Sequence, residues 1–289
     1  MHPPLIIVGQ PRSGTSLLTR VINESFDYLV FDDLYVLQYI DAENLWQQTD
    51  RHELKKISEF LFWKYSNRAQ REYDPRQLSD FPFIDNIDYS QCNWANVLEK
   101  VAAKSALLAG RGGWGYKTPQ DHLHFDKLTS AFPNAIFVFV LRDPRSVLAS
   151  YKNQQKIKVA HFDPRRYNPL IQGAAWKLAA DSYFLNKEAL AGRVHIVQYE
   201  TLVSDPNRVL EELADLMGMQ FRPIDISRFG NNSSFRGQQA KTVTESELWL
   251  ADLQIAETRK KLNYNYPESR LRMADLPEIA QILGRSAMF

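Results

Sequence analysis

The sequence predicts an α/β fold: a three-layer sandwich with helices on both faces of a central parallel sheet of about five strands. Three observations predict it. Short apolar runs rich in β-branched and aromatic residues recur along the chain, stretches of helical periodicity separate them, and a glycine-bounded loop directly follows the first run.

Taken in order, the apolar runs are Leu5 to Val8, Tyr28 to Phe31, Trp114 to Lys117, Ala135 to Leu141 and Val194 to Gln198. "AIFVFVL" is the clearest, because a Pro-Asn turn precedes an unbroken apolar run. Helices are expected over Thr15 to Asn23, Leu34 to Gln47, His52 to Arg71, Trp94 to Leu108, Ser146 to Asn153, Gly173 to Ala191, Pro206 to Met217 and Glu245 to Leu262. At 289 residues this reads as a single domain, 1–289, carrying a helical, aromatic-rich insertion at about 34–111.

Composition narrows the class. The chain is 44% hydrophobic and 24% charged with net charge +1, which suits a soluble globular protein and lacks the basic character of a nucleic-acid binder. No apolar run approaches the roughly 20 residues of a membrane helix. The single cysteine, Cys92, cannot form an internal disulfide, and the loop at residue 9 leaves no room for a leader ahead of it, so a cytoplasmic location is expected. Charge is unevenly spread: Asp27 to Asp88 holds 13 acidic and 7 basic residues, net −6, leaving +7 for the remainder. That partition reads either as a basic part for a polyanionic ligand or as an ordinary solvated helical face.

The chemistry starts at "VGQPRSGTSLL", residues 8–18. A Gly-containing loop at a helix N-terminus binds phosphate through aligned backbone N–H groups, and Gly9 and Gly14 have the spacing of G-x-x-x-x-G-K-[ST]. The lysine is absent: position 15 is Thr, and the nearest cation is Arg12 inside the loop. The strand "AIFVFV" ends in Leu141-Arg142 rather than in an acid that would hold Mg²⁺, which disfavours a magnesium-triphosphate site. Arg142 offers a fork that fits phosphate bidentately, and Ser150 follows it by eight residues.

Together, "QPRSGTSLL" and "LRDPRSVLASY" resemble the 5′ and 3′ phosphosulfate-binding motifs of the sulfotransferase family, whose donor is 3′-phosphoadenosine 5′-phosphosulfate (PAPS) and whose fold is P-loop nucleoside-triphosphatase-like. A later "VHIVQYETLVSDPNRVLEELADLMGM" has the family's look as well, and the resemblance spans roughly residues 5–33, 112–155 and 193–237. It implies that Arg12, Ser13, Gly14, Thr15 and Ser16 hold the 5′-phosphosulfate and that Arg142 and Ser150 hold the 3′-phosphate. Tyr199 matches the position near the adenine, and Ser234, Arg236 and Gly237 fall in a late loop over the nucleotide.

Sulfuryl transfer needs cations where charge develops on oxygen and a base for the acceptor proton. Arg12 and Lys117, the latter matching the family's lysine in "WGYKTP", fit the cationic roles. Cytosolic members of the family carry a histidine base after Lys-Thr; here Pro119 stands there. Membrane-bound tyrosylprotein members carry two glutamates after the second strand, and here Asp32 and Asp33 stand 20 and 21 residues after Arg12. Asp33 is the expected base, with Asp32 orienting it and His122 in reserve. The expected reaction moves a sulfuryl group from PAPS to a hydroxyl or amine of a small molecule such as a bacterial natural product, leaving PAP. Of the aromatics Tyr35, Tyr39, Trp46, Trp63, Phe81, Phe83 and Trp94, helical spacing makes most core, with a few expected to line the acceptor pocket, and the acid excess there suits a cationic or neutral acceptor. The alternatives are a metal-dependent small-molecule kinase of P-loop type and a catalytically inactive PAP-binding module; the oligomeric state is open.

Overall fold

The structure is a computed structural model that describes residues 1–72, 87–154, 167–229 and 242–286. Five strands form its sheet: β1 (Leu5–Gly9), β2 (Tyr28–Asp32), β3 (Gly113–Lys117), β4 (Ile136–Leu141) and β5 (Val194–Gln198), in the order β2-β3-β1-β4-β5. β3 pairs in parallel with β1, Ile6 opposite Tyr116, and with β2, Val30 opposite Gly115. Every residue of β1, β3 and β4 is buried, as expected of strands covered on both faces. The five apolar runs of the sequence are these five strands, each end agreeing within a residue.

The helices are α1 (Thr15–Ser25), α2 (Val36–Ala42), α3 (Arg51–Glu72), α4 (Trp94–Leu108), α5 (Phe125–Ala131), α6 (Pro144–Gln154), α7 (Pro169–Asn186), α8 (Tyr199–Ser204), α9 (Pro206–Met217), α10 (Glu245–Lys261) and α11 (Leu276–Ser286). Caps explain several boundaries. Asn93 accepts from the N–H groups of Ala95 and Asn96 at 2.9 and 3.1 Å, while Asn96 Oδ1 accepts from the Asn93 N–H at 3.0 Å, so α4 begins where its sequence suggested. Asn168 caps α7 with Pro169 behind it, four residues before the expected start at Gly173. The helix expected over Leu34 to Gln47 shrinks to Val36–Ala42 because Tyr35 and Asn44 take left-handed backbone, φ 53° and 54°. Helices α5, α8 and α11 had no counterpart in the sequence reading.

The chain forms two compact units. One comprises residues 1–8, 16–138 and 210–224; the other comprises 9–15, 139–209 and 225–289. In the first, the Phe132 ring meets Trp114 and Trp94 edge-on at 5.8 and 5.9 Å between centroids. In the second, α10 packs along α7 with Trp176, Ala179, Ala180, Leu248, Ala251 and Ile255 in one buried cluster that also takes in Leu141 and Val147. Gly173 lets these helices close up: a Cβ there would press on the Ala251 carbonyl oxygen at 3.2 Å.

Candidate active site

In the unit containing residues 9–15, the turn after β1 is built on positive φ at Gly9 (139°), Arg12 (73°) and Gly14 (92°), with the Ser13 N–H donating to the Gln10 carbonyl at 3.1 Å. Backbone that alternates hand in this way gathers N–H groups on a concave side, a ready anion receptor. Gly14 has a second reason to lack a side chain. The ring of Tyr199, first residue of α8, occupies the space a Cβ would need.

The same ring carries the Arg142 guanidinium, whose carbon lies 4.3 Å from its centroid. The indole N–H of Trp176 donates to the Arg142 carbonyl at 2.8 Å, fixing the end of β4. Asp143 is occupied in starting α6, accepting from the Arg145 N–H at 3.1 Å and the Ser146 hydroxyl at 3.0 Å. Seven residues into that helix, the Ser150 hydroxyl accepts from Arg12 Nε at 3.2 Å. The motifs at 9–15, 142–150 and 199 therefore converge.

Several polar atoms here are buried with no hydrogen-bond partner among the described residues: Ser13 Oγ, Arg142 Nε, and both amide atoms of Gln10. Ser13 is fully buried and Gln10 is 1% exposed. Buried donors left unpaired are costly, so a cluster of them marks a place that an anionic ligand would complete. The donor set of hydroxyl, guanidinium, amide and backbone N–H suits a phosphate or sulfate ester. Gln10 was not singled out in the sequence, because nothing in its type or spacing separates it from a turn residue.

The other unit holds a second cluster. Lys117 ends β3 with its side chain 2% exposed, and its ammonium contacts Ser16 Oγ at 3.0 Å, Asp32 Oδ1 at 2.5 Å and Asp33 Oδ1. Ser16 in turn donates to Asp32 Oδ1 at 3.1 Å. Such a buried ammonium is tolerated only with carboxylates and hydroxyls around it. Asp33 itself has left-handed backbone, φ 50°. The resemblance grouped Ser16 with the phosphosulfate residues; in the structure its hydroxyl serves Lys117 and Asp32. His122, the reserve base, is 6% exposed, its Nδ1 lies 2.9 Å from the Pro119 carbonyl, and burial lowers its pKa below the ordinary imidazole value.

Ser234, Arg236 and Gly237 lie outside the described residues, as do Phe81 and Phe83 and the side chain of Trp63. Of the other aromatics, Trp94 is buried, Tyr39 stacks on Phe60 at 4.2 Å, and Trp46 meets Trp94 edge-on at 5.5 Å. Among the described residues, no group of three or more His, Cys, Asp or Glu side chains is placed to hold a metal ion. Among them too, no helix is long and apolar enough to cross a membrane.

Residues 3–223 match the family model described as "Sulfotransferase family". Nodulation protein NoeE of Sinorhizobium fredii is 26% identical over 283 residues, covering 88% of this chain. This chain spans 62% of the length of that curated relative. Among solved structures, the sulfotransferase domain of the Synechococcus PCC 7002 olefin synthase superposes with a TM-score of 0.55 at 17% identity, over 92% of this chain and 96% of that one. The sulfotransferase domain from the curacin biosynthetic pathway gives 0.55 at 19% identity, over 92% and 99%.

Proposed function

Because the chain belongs to the sulfotransferase family, we propose that it moves a sulfuryl group from PAPS to a hydroxyl or amine of a small-molecule acceptor, cationic or neutral, working without a metal in the cytoplasm. The observation that carries the reading is the set of buried atoms of Gln10, Ser13 and Arg142 that lack a partner among the described residues, around an alternating-hand glycine turn. Such a set is expensive unless an anion completes it.

When bound, PAPS supplies the sulfuryl group and departs as PAP. Arg12, Ser13, Gly14 and Thr15 hold the 5′-phosphosulfate, with Ser16 adding its backbone N–H at the start of α1. Arg142 and Ser150 would hold the 3′-phosphate, Tyr199 would serve the adenine, and Ser234, Arg236 and Gly237 are further candidates for nucleotide binding. Arg12 and Lys117 offset the charge that develops on oxygen during in-line transfer. Asp33 takes the acceptor's proton, so the acceptor oxygen or nitrogen gains a bond to sulfur as its bond to hydrogen breaks. Lys117 holds the carboxylate at a fixed point, and Asp32 contacts the same ammonium. The free, buried thiol of Cys92 fits a reducing compartment, and the excess acid of residues 27–88 favours a neutral or cationic acceptor.

A donor-driven screen tests this: labelled PAPS is offered with panels of alcohols, phenols, amines and guanidines, and PAP is titrated in a thermal-shift assay. Stabilisation by PAP together with label on at least one acceptor is expected. PAP that neither binds nor stabilises the protein would overturn the reading.

A further inference from the structure

The turn that carries Asp33 is clipped to the segment after β3 at three points. The Leu34 N–H donates to the Lys117 carbonyl at 3.2 Å, the Tyr35 N–H to Thr118 Oγ1 at 3.0 Å, and Gln38 Nε2 to Asp121 Oδ1 at 2.8 Å. The turn needs holding, because Asp33 and Tyr35 both have left-handed backbone (φ 50° and 53°), which L-residues other than glycine adopt at a cost. Strain of this kind persists only where the surroundings over-determine it. We propose that Asp121 is a positioning residue for the transfer reaction: through Gln38 it locks the turn that delivers Asp33 to Lys117. The inference rests on the function proposed above for its catalytic meaning, and on the hydrogen bonds alone for the lock.

Asp121 is an unusual residue to find here. It is fully buried, and a buried carboxyl is expensive where an amide could accept the same hydrogen bond. The hydroxyl of Tyr116, on β3, lies near it without closing a hydrogen bond, and Oε1 of Gln38, on α2, is buried without a partner among the described residues. On its own short 3-10 turn, Pro119–His124, the neighbouring His122 directs Nδ1 to the Pro119 carbonyl. Burial pushes the Asp121 carboxyl up to about 7, while the hydrogen bond from Gln38 and the nearby Tyr116 hydroxyl pull the other way. It therefore changes charge in the neutral range. Ionised, it makes the Gln38 contact a charge-assisted hydrogen bond and tightens the turn; protonated, it loosens it.

The test uses the full chain with Gln38→Leu and Asp121→Asn, reading kcat against pH, PAP affinity, and amide hydrogen exchange at Leu34 and Tyr35. Gln38→Leu is expected to lower kcat about tenfold through misplacement of the base, with PAP affinity within about twofold. It should also speed exchange at both amides about tenfold or more. Asp121→Asn is expected to remove an inflection near pH 7 from the kcat profile, and the double variant to be no slower than Gln38→Leu. Unchanged exchange in Gln38→Leu, an inflection that survives Asp121→Asn, or a parallel fall in PAP affinity would each overturn the proposal. Should the wild type transfer no sulfuryl group to any acceptor, the proposed function fails while the exchange measurement still decides the lock.

Discussion

Tyr199 stands where a side chain on Gly14 would have to be, and the face of its ring also carries the Arg142 guanidinium. One aromatic ring thus ties the glycine turn to the cation at the end of β4.

Gly14→Ala should therefore fail twice, through its positive φ of 92° and through collision with that ring. A stability loss of about 1–3 kcal/mol is expected from the strain, together with PAP binding weakened at least about tenfold by displacement of the ring. In a Tyr199→Ala background the same change should cost less, since the collision is gone while the φ penalty stays. Chemical denaturation and calorimetric titration of the four proteins check this, and additive costs would refute it.

Arg142→Ala is expected to weaken PAP binding by about 2–5 kcal/mol, the penalty of leaving a buried anion unpaired. Tyr199→Phe keeps the ring beneath the guanidinium and should bind PAP within about threefold of wild type. Isothermal titration with PAP separates the two outcomes.

Asp33→Asn should leave PAP affinity nearly intact and cut turnover about 10² to 10⁴ fold. Unchanged turnover would move the base elsewhere, to His122 first. Lys117→Met should behave differently, because it leaves Asp32 and Asp33 close together without their shared cation. A stability loss of about 1–3 kcal/mol is expected, less than for a fully buried pair since both carboxylates are partly exposed. Restoring the balance with Asp32→Asn in the Lys117→Met protein should recover part of it.

Asp121 also makes stability depend on pH in a stated direction. Its folded pKa, about 7, lies above the ordinary carboxyl value of 3.8, so between those values the unfolded chain is ionised while the folded chain keeps its proton. Stability then falls as pH rises through that window and levels off above it. Asp121→Asn removes the effect, so the variant should gain on wild type by up to about 4 kcal/mol between pH 4 and 7. Urea denaturation at several pH values measures the difference; a gap independent of pH would contradict the assignment.

Much of this was legible in the sequence, and the reason is physical. Strands buried on both faces must be continuously apolar, so "LIIV" and "AIFVFVL" declared themselves, which put Arg12 in the loop after the first and Arg142 at the end of the second, while Lys117 closes the shorter run "WGYK". The sequence put Lys117 at a strand end and Asp33 just after the second strand, but their pairing came only with the sheet order. The rest depended on features without a sequence period. Helices α5 and α8 are 7 and 6 residues long, too short to show one. The left-handed residues Asp33, Tyr35 and Asn44 are not glycines, so nothing in their type announced the tight turns around α2. Gln10 and Asp121 matter through burial, which only the folded chain reveals.

The pairing of α7 with α10 bears on how this chain can be recombined with its relatives. Similarity to the family model ends at residue 223, yet the helix seated against Gly173 comes from residues beyond that limit. A chimaera spliced at residue 223 would give α7 a foreign mate lacking the matching contour at Ala251. Crossovers intended to exchange acceptor preference should keep both helices from one parent.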